Sequence, residues 1–290
     1  MHTSTRTVRR LPALYFLVAA LFSLILAACG SDNSSTGSTP STVATIAPPT
    51  TLLQSGQLLV GSDTTYTPME YLDAKTNNFA GFDVDLAAAL AQRMGIKSTI
   101  QKTSFDTIFD DLNNKRFDIV MSSVTVNDKR SKKFDFVPYF SAGESLLVKT
   151  GNPKNLKSTA DLCGLNVGVQ TGTVEQQDLD AASKDCQQKG KGEIKQTILD
   201  DQTAVIDLLA TGRVDATYQD SPVTDYYNKI NPGRFVVGGS VVNSAPYGIT
   251  IRKGDTAMLD AVKAAFKSLK DDGSYDKLFT KWGFTPSQKI

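Results

Sequence analysis

The sequence predicts an α/β protein with two lobes and a cleft between them, and two observations carry this prediction. From Leu52 onward, short apolar runs alternate with helical segments in the order of parallel β-α-β units, and the alternation starts again after Asn152 and Pro153. The run over residues 119–121 is continuously apolar, as in a strand buried on both faces of a sheet. Two such units joined by extended segments enclose a cleft, and ligands of such sheets bind at the carboxyl ends of the strands.

The first unit has three predicted strands and two predicted helices. The first helix is rich in Ala and Leu, and Gly95 follows it as a C-terminal stop. In chain order the segments are a strand over residues 58–60, a helix over 83–94, a strand over 98–102, a helix over 107–113 and a strand over 119–121.

The second unit repeats the pattern and is followed by a C-terminal pair of helices. One helix begins with Ser221 as its N-cap and Pro222 at its first position. The other segments are strands over residues 166–169, 194–198, 216–218 and 247–251, and helices over 174–187, 204–210, 257–270 and 275–282.

The first thirty residues are typical of an export signal. Arg6, Arg9 and Arg10 precede an apolar stretch over residues 11–28 that ends in small residues, which predicts a cleaved signal peptide over 1–28. An uncleaved membrane helix is the alternative, because the stretch is nearly long enough to span a bilayer. Cys29 directly follows Leu-Ala-Ala, which resembles the bacterial lipobox and implies lipidation of this cysteine.

Residues 29–51 are rich in Ser, Thr and Pro and have few large apolar groups, which predicts a disordered tether between the lipid and the fold. No later apolar run reaches spanning length. We therefore expect an extracytoplasmic protein that is held at the outer face of the plasma membrane, facing the periplasm or the cell surroundings, by its lipid anchor only.

Charge and composition argue against several functions. The formal net charge is +1, and removing the three signal arginines from the 31 basic residues leaves 28 against 30 acidic ones, so nucleic acid is not an expected partner. His2 is the only histidine, which argues against His-based catalysis and His-based metal sites. Neither a P-loop nor a GxGxxG motif is present, and we expect no cofactor.

Cys163 and Cys186 remain once Cys29 is assigned to the lipid. An even pair in an exported protein predicts one disulfide. Two buried free thiols are the alternative. A metal site is not expected, because two cysteines without a histidine supply too few ligands.

Mostly polar residues follow the predicted strands at the points where those strands end. Since ligands of such sheets bind at strand ends, these residues are candidates for a binding site. They are Asp63 and Tyr66 after the first strand, Ser122, Ser123 and Thr125 after the third, Gln170, Thr173 and Val174 in the second unit, and Gln219 and Asp220 before the helix at Ser221.

A zwitterionic amino acid is a ligand that this set fits. Arg130 provides the planar, bidentate cation that a carboxylate needs, and the N–H groups of residues 172–174 at a helix start would assist. Asp220 provides a countercharge for the ammonium group. The aromatic rings of Tyr66 and Phe105 would enclose the ligand side chain.

Each of these residues also has a purely structural interpretation. Arg130 lies in the charged run 128–133, which is typical of a solvated face, and Asp220 precedes a helix whose dipole favours acidic residues. The two serines can satisfy backbone groups, and the two aromatic residues can belong to the core. Their joint placement at strand ends favours the binding site.

Five motifs make the sequence similar to one family. They are GFDVDLAAAL over 81–90, FDIVMSSVTVNDKRSKKFDFVPYF over 117–140, VGVQTGTVEQ over 167–176, GRVDATYQDSP over 212–222 and PYGITIRKGD over 246–255. Together they resemble the bacterial extracellular solute-binding proteins of family 3, which serve ABC importers of polar amino acids. The resemblance runs from about Leu52 to Gly283, and the cysteine pair resembles a subgroup with a disulfide in its second lobe.

The resemblance implies a two-lobed, periplasmic-binding-protein-like fold of type II. Lobe 1 would comprise residues 52–147 and 246–290, and lobe 2 residues 148–245, with two extended crossovers near Val148 and Tyr247 as hinge segments. The ligand would bind one lobe first, and closure of the hinge would then bury it between both.

The resemblance also implies roles for individual residues. Arg130 matches the carboxylate-binding arginine and Asp220 the ammonium-binding aspartate. Thr125 and the carbonyl of Ser123 match further ammonium contacts, and the amides of Thr125 and Val174, with Thr173, match the carboxylate contacts. Val174 stands where Gly or a hydroxyl residue is usual, so a side-chain donor is lost while the N–H remains.

Asp63, Gln170 and Gln219 match positions that differ between specificities. The Asp63 carboxylate predicts a cationic or amide amino acid rather than an acidic one. The alternative is that Asp63 only caps a turn.

We therefore expect a monomeric, non-enzymatic importer component whose partners are an amino acid and an ABC permease. The alternatives are a binder or sensor of another small polar solute, and a periplasmic dehydratase-like enzyme on the same fold.

Overall fold

The computed structural model describes residues 46–290. The predicted signal peptide over 1–28, the lipidation site at Cys29 and the tether up to residue 45 lie outside the described residues. Within residues 46–290, no helix has both the length and the apolar character needed to cross a membrane.

Eleven strands form two sheets in the described part of the chain. The long strands are β7 and β11. In chain order the strands are β1 (Gln57–Ser62), β2 (Thr65–Tyr66), β3 (Glu70–Asp73), β4 (Asn78–Ala80), β5 (Lys97–Lys102), β6 (Ile119–Val120), β7 (Phe134–Lys149), β8 (Asn166–Gln170), β9 (Lys195–Leu199), β10 (Ala216–Asp220) and β11 (Phe235–Arg252).

Eight α-helices alternate with these strands between residues 46 and 290. They are α1 (Phe82–Arg93), α2 (Ile108–Asn113), α3 (Asp128–Ser131), α4 (Val174–Gln188), α5 (Gln202–Thr211), α6 (Ser221–Ile230), α7 (Thr256–Asp271) and α8 (Ser274–Trp282), with short 3₁₀ helices over Thr159–Leu162 and Pro286–Gln288.

The main sheet has eight strands in the order β5-β1-β6-β11-β7-β10-β8-β9. β1 is parallel to β5 and β6, and β8 is parallel to β9 and β10, so each end of the sheet is a parallel unit. β7 and β11 pair with each other in antiparallel fashion along the middle and connect the two ends. Val148 and Tyr247, near which the two crossovers were predicted, lie in β7 and β11.

The register between β7 and β11 shifts in the stretch from Gly238 to Gly248. Gly143 on β7 faces this stretch, and a Cβ there would lie 2.5 Å from the carbonyl oxygen of Val242. Only glycine permits this approach of the two chains. The middle of the sheet therefore combines a close backbone approach with an irregular ladder.

Each end of the sheet has its own apolar core. At the β1 end, Phe140 stacks on Tyr247 and on Phe279 of α8, with ring centroids 5.5 and 5.3 Å apart. At the β8 end, the buried side chains of Val167 and Val169 pack with those of other strands and of α4. The predicted disulfide is present, and it ties Cys163, just after the 3₁₀ helix, to Cys186 in α4 with a Cα–Cα distance of 5.5 Å.

The fold differs from the predicted local structure in several places. Asp220, not Ser221, is the N-cap of α6, so Pro222 is the second helical residue. The small β2-β3-β4 sheet was not predicted, because strands of two to four residues leave almost no periodicity. The fold also begins before Leu52, because the N–H of Ile46 donates to the carbonyl of Arg93 at 2.8 Å and its side chain packs on the core.

Candidate ligand-binding site

Residues that follow the ends of β1, β6, β8 and β10 line one cavity. Its volume in this conformation is about 10 Å³, which is room for about a single water molecule. The lining residues are Asp63, Tyr66, Glu70, Phe105, Ser122, Ser123, Thr125, Arg130, Gln170, Thr173, Val174, Glu175 and Asp220.

Arg130 is held by backbone carbonyls and aromatic rings. Its guanidinium donates to the carbonyl of Thr125 at 2.8 Å and to that of Gly172 at 3.4 Å. The guanidinium carbon lies 5.6 Å from the ring centroid of Phe105 and 5.1 Å from that of Phe109. Among residues 46–290 no carboxylate forms an ion pair with Arg130, although the residue is only 8% exposed.

A buried guanidinium without an anionic partner loses hydration that carbonyl groups replace only in part. Burial lowers the pKa of Arg130, and the nearby carboxyls of Glu175 and Asp220 oppose this effect. The side chain therefore favours an incoming carboxylate, whose two oxygens match the guanidinium geometry.

Asp220 is the last residue of β10 and the N-cap of α6, so the strand end and the helix start fix its backbone. The hydroxyl of Tyr66 donates to its Oδ2 at 2.9 Å, and its own N–H donates to the Tyr66 oxygen at 3.2 Å. Burial raises the pKa of Asp220 to about 6, although hydrogen bonds and Arg130 lower it. This carboxyl is suited to pair with a cation that enters the cavity.

Asp63 follows β1 and is also buried. Its Oδ2 accepts hydrogen bonds from the Gln170 amide and, at 3.0 Å, from the hydroxyl of Thr65. Burial raises the pKa of Asp63 to about 6, and these hydrogen bonds oppose the shift. The Gln170 amide also donates to the carbonyl of Asp200 at 2.9 Å, so both of its protons are used.

Ser122 and Ser123 place their hydroxyls on Glu70. The two hydroxyls donate to its two carboxylate oxygens at 2.9 and 3.2 Å, and Ser122 also accepts from the N–H of Asp63 at 3.0 Å. Ser122 thus satisfies one backbone group, as in the structural interpretation, whereas the Ser123 hydroxyl contacts the Glu70 side chain. Ser123 has φ +50°, a conformation that is costly for a residue with a Cβ and is common at binding sites.

Thr173 caps the start of α4. Its hydroxyl accepts from the N–H of Gln176 at 3.2 Å and donates to the carbonyl of Gln170 at 2.8 Å. Because this hydroxyl is committed to the cap, the donors that the helix can offer to a ligand are backbone N–H groups of its first turn, such as that of Val174.

Eleven of the twelve predicted binding residues line the cavity, and Gln219 does not. Successive side chains of a strand point to opposite faces, so Gln219 on β10 points away from the face that carries Asp220. Its amide donates to the hydroxyl of Thr224 in α6 and has no contact with the cavity. The predicted specificity role of Gln219 is thus not supported by its position.

Glu70 and Glu175 line the cavity and were missed by sequence reasoning. Glu70 lies on the unpredicted strand β3 and is fully buried. Glu175 lies in the first turn of α4, where acidic residues are common because of the helix dipole. Neither position carries a sequence pattern that separates it from a surface carboxylate. Within residues 46–290, no group of three or more His, Cys, Asp or Glu side chains is arranged to hold a metal ion.

Direct contacts close the cavity from both sides. Besides the Tyr66–Asp220 and Gln170–Asp63 bonds, the N–H of Gln202 donates to the hydroxyl of Thr65 at 3.1 Å. Gly172 packs so closely on Asp106 that a Cβ would lie 3.1 Å from the Asp106 Cα. An amino acid is much larger than the remaining space, so the cavity in this conformation is closed.

Comparison with known proteins places this geometry in a family. The family model of the bacterial extracellular solute-binding proteins, family 3, matches residues 58–285. The L-cystine-binding protein of Escherichia coli strain K12 is 34% identical over 229 residues, which cover 78% of this chain and 82% of that protein.

Solved structures agree with this match. An ancestral arginine-binding protein bound to arginine has a TM-score of 0.73 and 36% identity, covering 78% of this chain and 98% of that one. An ancestral amino acid-binding protein that is a precursor of cyclohexadienyl dehydratase has a TM-score of 0.71 and 38% identity, covering 78% and 95%. These neighbours confirm the predicted two-lobed α/β fold. The chain belongs to the bacterial extracellular solute-binding proteins of family 3.

Proposed function

We propose that this protein binds a cationic α-amino acid, such as arginine or lysine, and delivers it to an ABC importer. The observation that carries the proposal is the buried, unpaired guanidinium of Arg130 in a cavity that four buried carboxyls also line. A zwitterion with one additional positive charge supplies one anion for the arginine and two cations for the carboxyls.

The α-carboxylate would bind Arg130 and the N–H groups of Thr125 and Val174. Its binding would replace the two carbonyl contacts that the guanidinium makes in the closed cavity. The α-ammonium would bind Asp220, with the carbonyl of Ser123 as a further acceptor. The hydroxyl of Tyr66 donates to Asp220 across the cavity, so this bond would break on opening and would form again around the bound ligand on closure.

The ligand side chain would lie near Asp63, with the rings of Tyr66 and Phe105 beside it. A guanidinium or ammonium group there would allow Asp63 to ionise, which burial otherwise opposes. One solved structural neighbour is bound to arginine, whereas the Escherichia coli relative is an L-cystine-binding protein, so the proposed preference rests on the charges of the cavity.

Cystine and the acidic amino acids fit the charges less well. Each carries a second carboxylate, whereas Arg130 is the only cationic side chain among the described residues that line the cavity. In aspartate or glutamate the second carboxylate would lie next to buried carboxyls without a countercharge, and such an arrangement is costly. In cystine a second ammonium group accompanies the second carboxylate, but that carboxylate would still have no cationic side chain of the cavity as a partner.

The cavity suggests a mechanism of opening and closing. Lobe 1, over residues 52–147 and 246–290, and lobe 2, over 148–245, would separate by bending of β7 and β11 where their register is irregular. Contacts made by the ligand with both lobes would then favour the closed form. An ABC permease would recognise that form. The protein would act as a monomer that the lipidated Cys29 tethers at the outer face of the plasma membrane.

A thermal-shift series on the purified protein tests the proposal. Arginine and lysine at saturating concentration should raise Tm, because a ligand at about 100 times its Kd stabilises the fold by about 2.7 kcal/mol. Glutamate, aspartate and cystine should have smaller effects. A larger shift with glutamate than with arginine, or no shift with any common amino acid, would contradict the proposal.

A further inference from the structure

Glu175 is a buried carboxyl group that lines the cavity next to Asp220. It is the second residue of α4 and is 2% exposed. Its Oε1 has no hydrogen-bond partner among the described residues. Most buried polar atoms are hydrogen-bonded, so an unpaired carboxylate oxygen that faces a ligand cavity points to a partner that arrives from outside.

The surroundings of Glu175 contain more acidic than basic groups. Burial and the neighbouring carboxyl of Asp220 are the main reasons why its pKa is raised well above its usual range. The charged and titratable groups that interact with it electrostatically are Asp220 on β10, Glu144 on β7, Arg130 on α3, and the hydroxyls of Tyr66, Tyr218 and Tyr247.

Two neighbouring carboxyls in a buried site cannot both ionise at low cost. One of them keeps a proton unless a cation replaces it, as in other carboxylate pairs that titrate as a unit. Arg130 does not fill this role, since its guanidinium donates to the carbonyls of Thr125 and Gly172 and forms no ion pair within residues 46–290.

We propose that Glu175 is a second ligand-binding carboxylate beside Asp220, and that the ligand ammonium replaces a proton which these two carboxyls share in the ligand-free protein. This inference rests on the proposed binding of an α-amino acid. The proton passes to solvent, and no covalent bond changes. The ammonium then lies between two carboxylates instead of one.

The sign of the pH effect follows from this exchange. The ligand-free pair holds a proton that the complex lacks, so binding releases it and affinity increases as pH rises. Release of one full proton corresponds to a tenfold decrease in Kd for each pH unit. Other buried carboxyls titrate in the same range, so the contribution of Glu175 is obtained by comparing the wild-type protein with a variant at each pH.

The experiment is calorimetric titration of the protein with L-arginine between pH 5.5 and 8.0. At pH 6.5 the titration is repeated in buffers of different ionisation enthalpy, which counts the protons released. The variants are Glu175→Gln and, as a matched control with an exposed side chain, Glu193→Gln. The wild-type protein and the control should release up to one proton more than Glu175→Gln. The Kd ratio of Glu175→Gln to wild type should rise up to tenfold for each pH unit.

Three results would overturn the inference. One is that the wild-type protein binds arginine without releasing protons, and this result is obtained from the wild-type titrations alone. Another is that Glu175→Gln weakens binding by the same factor at every pH, as a purely structural residue would. The third is that Glu175→Gln and the wild-type protein have the same Kd and proton count. If the wild-type protein binds no amino acid at all, the proposed function itself fails, and this outcome is distinct from the other three.

Discussion

The side chains that line the cavity include more acidic than basic residues. Arg130 is the one cationic side chain among the described lining residues, whereas Asp63, Glu70, Glu175 and Asp220 are acidic. Burial raises the pKa of each of these four carboxyls. The cavity is therefore prepared for one anionic group and for more than one cationic group.

Arg130→Ala and Asp220→Asn should each reduce amino acid binding by an amount on the order of 3–5 kcal/mol. Each change leaves an opposite charge of the ligand buried without a partner. Calorimetry with arginine measures the loss, and Arg213→Ala, at an exposed position, is the control for Arg130. Ligand-free Tm should not fall in Asp220→Asn, because the change removes one of two neighbouring buried carboxyls. Binding within a few-fold of wild type in either variant would refute the assigned roles.

Asp63→Asn should change the preference between ligands more than the general affinity. A neutral amide no longer attracts a cationic side chain, so the ratio of the arginine Kd to the glutamine Kd should rise about tenfold or more. Both amino acids are titrated against this variant and against Asp260→Asn, whose exposed side chain serves as the control. An unchanged ratio would mean that Asp63 has only the structural role of accepting from Gln170 and Thr65.

Two kinds of element organise the molecule around the cavity. The parallel strands β1, β6, β8 and β10 end at it, which explains why residues far apart in sequence meet there. The antiparallel strands β7 and β11 cross between the two ends of the sheet, and the shifts in their ladder give the middle fewer regular hydrogen bonds. The regular strands thus position the binding groups, and the proposed opening would bend the irregular ones.

The disulfide should stabilise the fold without affecting binding. It closes a loop between residues 23 positions apart, and neither cysteine lines the cavity. Replacing both cysteines by alanine should lower the free energy of unfolding by about 3 kcal/mol, because the unfolded chain is no longer constrained. Denaturant unfolding measures this change, and arginine titration of the same variant should give the wild-type Kd. An unchanged unfolding midpoint, or recovery of both cysteines as free thiols without reductant, would contradict the prediction.

The whole molecule contains several carboxyls whose pKa is raised by burial. The pKa is raised to about 6 for Asp63 and Asp220, and to about 7 for Asp83 and Glu144. In the unfolded chain these groups ionise near pH 4. Between these limits the folded state binds more protons than the unfolded state, so stability falls as pH rises.

The ligand-free protein should therefore have a lower Tm at pH 8 than at pH 5. For a protein of this size each kcal/mol lost lowers Tm by about 2–4 °C. Scanning calorimetry at several pH values checks the direction, and saturating arginine should reduce the slope because it pairs with ionised carboxyls in the cavity. A Tm that stays constant or rises between pH 5 and 8 without ligand would show that these carboxyls are already ionised at little cost.

The sequence by itself determined the family, the two α/β units and most of the cavity. The family match confirms the predicted family and its role as an extracellular solute-binding protein. Helices α1, α4 and α7 and the strands of both parallel units lie close to their predicted bounds, because a local periodicity marks each of them. Arg130, Asp220 and nine other residues were predicted because they follow strand ends or match family motifs.

Only the tertiary structure decided which side chains face the cavity. Gln219 and Asp220 are neighbours in sequence, and strand alternation alone separates their directions. Glu70 and Glu175 resemble ordinary surface acids in sequence, and they become binding candidates because contacts from distant segments bury them. The burial of a side chain and its distance from other charges depend on residues that are far apart in the chain. A local pattern therefore predicts where an element lies, but it does not predict which charges share a buried space.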